Sequence, residues 1–105
     1  MARTVRILGD AAEEAIEAAA WYERQRPGLG ADFFVAFDDA VDLVEEQLVP
    51  LSRCPGRAGV SGARRVILKR FPYDIVIVEH AAELIVIAVA HQSRRPGYWR
   101  ERLSP

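Results

Sequence analysis

The chain has 105 residues, of which 50% are hydrophobic and 28% charged, and this size and composition predict one globular domain over residues 1–105. The single cysteine, Cys54, excludes an internal disulfide, and the longest uncharged apolar run, 84–90, is too short to cross a bilayer. The N-terminus lacks the apolar core of a signal peptide, so we expect a soluble, cytoplasmic protein.

The net charge of −1 hides a division between the two halves of the sequence. Residues 1–52 hold four arginines against eleven acidic residues, whereas residues 53–105 hold ten basic residues against four acidic ones. This division predicts an acidic face and a basic face, and the basic face is a candidate surface for nucleic acid or an acidic partner. The alternative is that the acidic helices are simply solvated and that the basic half pairs with them.

The first elements in the chain are a short strand and a helix. Alternation of apolar and polar residues indicates a strand at 4–8. The alanine-rich stretch that follows predicts a helix over 11–26, because alanine is the best helix former. The apolar face of this helix is expected to include Ile16 and Tyr22, with Trp21 beside them.

A second helix is predicted over 31–49, after a tight turn that contains proline and glycine. Apolar residues recur along it at helical spacing and acidic residues occupy the opposite face, so the two helices should form an αα-hairpin. Residues 51–63 are expected to form a loop, because prolines and glycines punctuate them. Their glycines match no nucleotide-binding motif.

The second half of the sequence predicts three strands, over 65–69, 73–79 and 84–90. Short connections make consecutive strands antiparallel neighbours. The third strand is apolar at every position, which predicts a central strand covered on both faces. The sequence closes with a basic and aromatic segment, 91–103, which is expected to form a tail.

Four segments, in their order and spacing, resemble the RelE/ParE superfamily of toxin–antitoxin toxins, and in particular its ParE-type, plasmid-stabilisation subgroup. The segments are 21–30, 64–73, 88–91 and 94–99, and the resemblance covers nearly the whole chain. It implies an α+β fold with a short N-terminal strand, an antiparallel αα-hairpin packed on an antiparallel β-sheet, and a basic C-terminal tail.

The resemblance also implies a function, that of the toxin of a type II toxin–antitoxin system. Such a toxin is neutralised by a cognate antitoxin of the ParD/RelB type, whose C-terminal segment wraps it, and it meets operator DNA only through that antitoxin. ParE-like members bind and inhibit DNA gyrase without known hydrolytic chemistry, whereas RelE-like members cleave mRNA on the ribosome. The subgroup implies gyrase inhibition. A ribosome-dependent mRNA endoribonuclease and an inactive, partner-binding member are the alternatives, so whether the chain is an enzyme stays open.

Candidate site residues lie at the ends of the predicted strands and in the tail. Metal-free RNA cleavage needs a base, an acid and cations for the phosphate, so an endoribonuclease would use Arg70, His91 and Tyr98. Antiparallel pairing is expected to gather Arg70, Tyr73 and His91 at one edge. The alternative is that His91 simply ends a strand with a solvent-facing ring and that Tyr73 belongs to the core. The expected contacts to target or antitoxin are Arg64, Arg65, Lys69, Tyr73, Arg94, Arg95, Trp99 and Arg100.

Two further expectations concern the tail and the ligands. Deletion of residues 94–105 should abolish toxicity while leaving the fold intact. The two histidines and one cysteine form no metal-binding motif, and we expect no cofactor, no metal and no membrane partner.

Overall fold

The computed structural model describes residues 4–46, 52–53, 62–68, 70–80, 83–95 and 97–103. These residues form an α+β fold, as predicted. Its elements are, in order, β1 (Thr4–Ile7), α1 (Gly9–Gln25), α2 (Leu29–Glu45), β2 (Ser52–Arg53), β3 (Arg64–Ile67), β4 (Tyr73–His80), β5 (Glu83–His91) and a 3-10 helix (Arg100–Leu103). No helix in the described ranges is long and apolar enough to span a membrane.

The strands form one sheet in the order β1-β5-β4-β3-β2. The pairs β3–β4 and β4–β5 are antiparallel, as their short connections predict. β5 lies between β1 and β4, which confirms the central position expected of an apolar strand. β1 pairs with β5 in parallel, so the sheet is mixed rather than wholly antiparallel.

The helical hairpin covers one face of the sheet, which we call the helix face. The largest fully buried side chains lie there: Phe33 of α2 and Ile75, Ile77 and Val86 of the sheet. From α1, the buried residues are alanines at positions 11, 15, 18 and 19. Their small side chains let α1 lie close to its neighbours, because they keep the helix backbone near the packing surface.

Two residues of α1 were assigned wrongly to its apolar face. Ile16 is 59% exposed and Trp21 is 50% exposed. The alanines set the buried stripe, and successive helical residues turn about 100° around the axis, so Ile16 and Trp21 fall outside that stripe. Tyr22, by contrast, packs against the buried cluster as expected.

The turn between the helices explains why α2 begins at Leu29 rather than at residue 31. Gly28 has φ 91°, a left-handed conformation that suits glycine, and it precedes the helix directly. The carboxylate of Glu23 then accepts hydrogen bonds from the backbone N–H groups of Gly28 (3.1 Å) and Gly30 (3.0 Å). This carboxylate satisfies N–H groups that the first turn of a helix leaves unpaired. α2 ends at Glu45, before the predicted end at 49, and residues 47–49 lie outside the described ranges.

A bulge in β5 divides its side chains between the two faces of the sheet. Ile77 pairs with Val86 but Val76 pairs with Ala88, so Ile87 is an extra residue in β5. Val86 and Val89 therefore both join the core of the helix face, three residues apart. Ile87 and Ala88 both join a smaller cluster on the opposite face of the sheet, which we call the second face.

The C-terminal segment 97–103 covers the second face, and we call it the C-terminal cover. Trp99 is only 4% exposed and belongs to the cluster on this face, and Leu103 packs against it. The predicted basic tail is thus a packed layer. The expectation that residues 94–105 can be removed with the fold intact is wrong, since that deletion would expose Val76 and Ile87 to water.

Other expectations concern the predicted loop over 51–63 and the strand predicted directly after it, over 65–69. Residues 52–53 form β2 instead of loop, because they pair with Arg65 and Arg64 at the edge of the sheet. The rest of the predicted loop up to residue 61 lies outside the described residues, and so does Lys69.

Candidate functional site

The carboxylate of Glu14 on α1 connects three parts of the protein. Its Oε1 accepts hydrogen bonds from the backbone N–H of Val89 (3.0 Å) and from Nη1 of Arg102 (2.8 Å). Its Oε2 accepts hydrogen bonds from the hydroxyl of Tyr98 (2.5 Å) and from Nη2 of Arg102 (3.2 Å). One side chain, 15% exposed, therefore fixes α1, β5 and the C-terminal cover to one another.

These contacts complete the outer edge of β5. β1 pairs with β5 only from Glu83 to Val86, so among the described residues no strand flanks the rest of β5 on that side. Glu14 accepts the N–H of Val89, and Nη1 of Arg102 donates to the carbonyl oxygen of Ile87 (3.0 Å). Two side chains thus take the place of a strand, because buried backbone polar groups require hydrogen-bond partners.

The same contacts fix the protonation of the groups involved. Burial acts to raise the pKa of Glu14, but the hydrogen bonds from Arg102, Tyr98 and Val89 outweigh burial and lower that pKa. Burial, together with the hydrogen bond to Glu14, raises the pKa of Tyr98 far above its usual range. Tyr98 therefore keeps its proton and donates it to Glu14 as a hydrogen bond.

A groove of about 450 Å³ lies between α1 and the ends of β4 and β5, and we call it the α1 groove. Tyr73 and His91 are directly paired across β4 and β5, with ring centroids 5.0 Å apart. Nδ1 of His91 accepts a hydrogen bond from the backbone N–H of Ser93 (3.0 Å). Nδ1 is therefore unprotonated in the neutral ring, and Nε2 carries the proton and acts as a donor. The lining residues are Glu14, Glu17, Ala18, Ala20, Trp21, Arg24, Tyr73, Val89, His91 and Arg94.

Arg94 links the α1 groove to the C-terminal cover. Its guanidinium lies 3.6 Å from the centre of the Tyr98 ring, and its Nη1 is 3.7 Å from Oε2 of Glu14. The side chain remains 55% exposed, so it can also meet a ligand. A guanidinium stacked on a ring in this way is held in place while its edge stays free.

A second groove, of about 330 Å³, lies between α2 and β3, and we call it the α2 groove. Its exposed apolar residues are Val35, Leu43 and Ile67. Arg70 lies here, with Nη2 3.6 Å from Oδ2 of Asp32. The complete lining is Asp32, Val35, Ala36, Asp39, Ala40, Leu43, Val66, Ile67, Leu68 and Arg70.

The three residues predicted to be catalytic do not converge on one point. Tyr73 and His91 meet as the strand register predicts, but Arg70 lines the α2 groove rather than the α1 groove. Arg70 follows the end of β3 and is drawn towards Asp32, at the start of α2. His91 lines the α1 groove and Tyr98 is bound to Glu14, so the structure separates the predicted set.

The predicted basic contact residues have different surroundings. Arg65 donates to Oδ2 of Asp74 (3.1 Å), a carboxylate that also accepts a hydrogen bond from Nε2 of Gln92 (3.1 Å). Arg64 is half-buried beside Arg65, whereas Arg95 and Arg100 are exposed. Within the described residues, no group of three or more histidine, cysteine, aspartate or glutamate side chains could hold a metal ion.

Two side chains show where sequence reasoning failed. Trp99 was predicted to contact a partner, but it is buried on the second face and presents no surface. Glu14 is absent from the predicted site residues, yet its carboxylate is the centre of the site. One signal was available: position 14 lies three residues after Ala11 and four before Ala18, so a carboxylate falls within the buried stripe of α1.

Comparison with known proteins gives a likeness in fold. No family model matches the sequence, and no curated protein matches it. Among solved structures, a chain of the "Chromosomal ParDE TA system from P. aeruginosa" superimposes with a TM-score of 0.70. The sequences are 14% identical, and the match covers 85% of this chain and 95% of that one. The likeness confirms the predicted ParE-type fold, and at this identity it shows the fold alone.

Proposed function

We propose that this chain is the toxin of a type II toxin–antitoxin system, that it acts by binding and inhibiting DNA gyrase, and that a cognate antitoxin neutralises it. The fold shared with a chain of a ParDE toxin–antitoxin system supports the toxin assignment. The α2 groove supports the proposal of a neutralising antitoxin, because Val35, Leu43 and Ile67 are exposed together along it.

The α2 groove suits a segment that folds when it binds. Its walls are apolar, and it lies beside β3, whose pairing with β2 extends only over Arg64 and Arg65 in the described residues. An extended segment can therefore add to the outer edge of β3 beyond Arg65 and place apolar side chains in the groove. Asp39 also lines the groove, and Asp32 lies beside Arg70, so a basic residue in that segment would be favoured near Asp39.

Action by binding, rather than by cleavage, is supported by the distribution of the polar groups. Arg70 and His91 line different grooves, and the hydroxyl of Tyr98 is engaged by Glu14. The second face is apolar and covered by Trp99. RNA cleavage needs a base, an acid and cations around one phosphate, and these residues are not so arranged.

The target is tested with purified protein and DNA gyrase in a supercoiling assay. We expect loss of supercoiling and accumulation of cleaved gyrase–DNA complexes, both relieved by the antitoxin. No effect at saturating protein would refute gyrase as the target.

Codon-phased mRNA cuts in a translating extract, lost in His91→Gln, would replace the proposal with a RelE-type endoribonuclease. Normal growth during strong expression without antitoxin would indicate an inactive, partner-binding member.

The antitoxin site is tested by co-purification with the product of the neighbouring reading frame. Leu43→Glu places a charge in the apolar wall of the α2 groove and should weaken the complex at least tenfold, since burying an unpaired charge is costly. Ile16→Glu is the matched control, because Ile16 is also an exposed aliphatic residue of a helix but does not line the α2 groove. Equal binding by wild type and Leu43→Glu would exclude this groove.

A further inference from the structure

The α1 groove is a cavity that the antitoxin proposal does not occupy, and two of the expected contact residues, Tyr73 and Arg94, line it. Its volume of about 450 Å³ falls within the range of about 300–1,000 Å³ that is typical of small-molecule sites. It lies between a helix and the ends of two strands, and it combines ring side chains with groups of both charges. The groove proposed for the antitoxin is a different one, the α2 groove.

Cationic and hydrogen-bond-donating groups outnumber acceptors in the α1 groove. The oxygens of Glu14 are already engaged by Val89, Tyr98 and Arg102, so this carboxylate is compensated within the protein. Arg24 forms no ion pair with any residue that the structure describes. Arg94 lies 3.7 Å from Oε2 of Glu14, and 55% of its side chain stays exposed. Both guanidinium groups line the α1 groove, Arg24 from α1 and Arg94 from the turn after β5.

Neutral donors add to the two guanidinium groups. Nε2 of His91 carries a proton, because Ser93 donates to the other ring nitrogen. Burial raises the pKa of Tyr73, so its hydroxyl remains protonated. Glu17 is the acceptor that remains, because Glu14 is engaged within the protein. Such a set of groups favours an anionic ligand that also offers a hydroxyl to a carboxylate.

The α1 groove also has an exposed flat ring at its wall. Trp21 is half exposed, and its indole is held edge-to-face against the Tyr22 ring, with centroids 5.1 Å apart. Tyr22 in turn stacks on the buried Phe33, at 5.8 Å, so the support continues into the core. An indole held in one orientation and open to solvent is a good surface for stacking a planar ring.

We propose that the α1 groove binds a nucleoside monophosphate. The base stacks on Trp21, the phosphate lies between Arg24 and Arg94, and the ribose hydroxyls donate to Glu17. A phosphate monoester carries close to two negative charges and is well matched by two guanidinium groups. A ligand carboxylate carries one negative charge and would be matched by a single guanidinium group. The donors on His91 and Tyr73 lie in the same groove and complete the phosphate contacts.

Calorimetric titration of the purified, antitoxin-free protein with AMP, GMP, CMP and UMP tests this proposal. We expect saturable binding at one site per chain. Trp21 fluorescence should change on binding, because Trp21 lines the α1 groove and Trp99 is buried on the second face. Adenosine and inorganic phosphate serve as partial ligands, and each should bind more weakly than AMP.

Two variants separate the base from the phosphate. Trp21→Leu should weaken AMP binding about tenfold, the loss expected when one base loses its stacking partner, and should leave inorganic phosphate unchanged. Arg24→Gln should weaken AMP and inorganic phosphate alike, by about fivefold or more. Arg26→Gln is the matched control, because Arg26 is exposed near Arg24 but does not line the groove. These side chains are exposed, so the melting temperatures should match that of the wild type.

Several results would overturn the proposal. Absence of saturable binding by all four nucleotides would do so, as would binding that neither Trp21→Leu nor Arg24→Gln weakens. Adenosine binding as tightly as AMP would show that the phosphate is not recognised. Binding of an oligonucleotide without binding of a mononucleotide would indicate a nucleic-acid groove instead. None of these assays contains gyrase or antitoxin, so their outcome is independent of the toxin proposal.

Discussion

Replacing Glu14 with glutamine would remove the charge that α1, β5 and the C-terminal cover share, while keeping the size of the side chain. Glutamine retains one carbonyl oxygen, so the hydrogen bond from the backbone N–H of Val89 can survive. Arg102, whose side chain is 20% exposed, would lose its buried counter-charge. Among the described residues, only Asp10, 3.6 Å away and largely exposed, would remain as an acidic partner of Arg102.

The expected loss in the free energy of unfolding at pH 7 is about 2–3 kcal/mol. Removing one partner of a fully buried ion pair costs about 3–5 kcal/mol, and the partial exposure of both side chains reduces that figure. In a domain of this size, such a loss lowers the melting temperature by about 10 °C or more. Urea unfolding of wild type, Glu14→Gln, Arg102→Met and the double variant measures the loss and the coupling between the two residues. We expect a coupling of about 1–2 kcal/mol.

The pH dependence gives an independent check of the same reasoning. The pKa of Glu14 in the folded protein is lowered from 4.5, so its contribution to stability is present above that value. The contribution is lost as the pH falls through the lowered pKa, and wild type and Glu14→Gln should therefore converge in acid. A Glu14→Gln protein within about 0.5 kcal/mol of wild type at pH 7, or a difference independent of pH, would refute the role given to Glu14.

Three further variants test the packing. A Cβ atom on Gly30 would lie 2.6 Å from the carbonyl oxygen of Ala19, so Gly30→Ala should cost about 1–3 kcal/mol in unfolding free energy. Gly9→Ala is the control and should cost nothing, because a Cβ atom on Gly9 would have no atom within 4 Å. Equal melting temperatures of the two variants would contradict this expectation. Trp99→Ala should cost about 3–5 kcal/mol in urea unfolding, since the indole is buried on the second face, and a surface role would predict a negligible cost. Glu23→Gln weakens the hydrogen bonds at the start of α2 and should cost about 1 kcal/mol by thermal unfolding, with no change expected if those bonds contribute nothing.

Much of the sheet could be predicted because its determinants are local. A run that is apolar at every position requires cover on both faces, and β5 is central for that reason. The pairing of Tyr73 with His91 follows from a short connection and antiparallel register. The bulge at Ile87 does not follow from them, because nothing in an unbroken apolar run marks the residue that is extra.

The helices show why an apolar pattern can be misassigned. Ile16 and Trp21 are the larger apolar residues of α1, so they dominate a periodicity argument. The buried face instead consists of alanines, which are small enough for close helix packing but weak as hydrophobic signals. Gly30 belongs to the same close contact, since the carbonyl oxygen of Ala19 leaves no room for a side chain.

The C-terminal cover and the hub at Glu14 could not be derived from local sequence. A segment rich in arginine and aromatic residues is compatible with solvent exposure, and only contacts with distant residues fold it back. Arg102 meets Glu14 across 88 positions of sequence, and Trp99 fits against alanines and β-branched residues of the second face. Such contacts depend on the completed sheet, which no local pattern encodes.

The distance in sequence between Glu14 and Arg102 has a consequence for biosynthesis. A nascent chain that has emerged only as far as β5 contains the carboxylate but neither Trp99 nor Arg102. Until translation reaches those residues, the outer edge of β5 and the apolar second face stay open. The contact between Glu14 and Arg102 therefore forms only after Arg102 has been synthesised, and contacts of this separation close slowly. A chaperone or binding protein that recognises the exposed apolar second face would bind newly made chains in preference to folded ones.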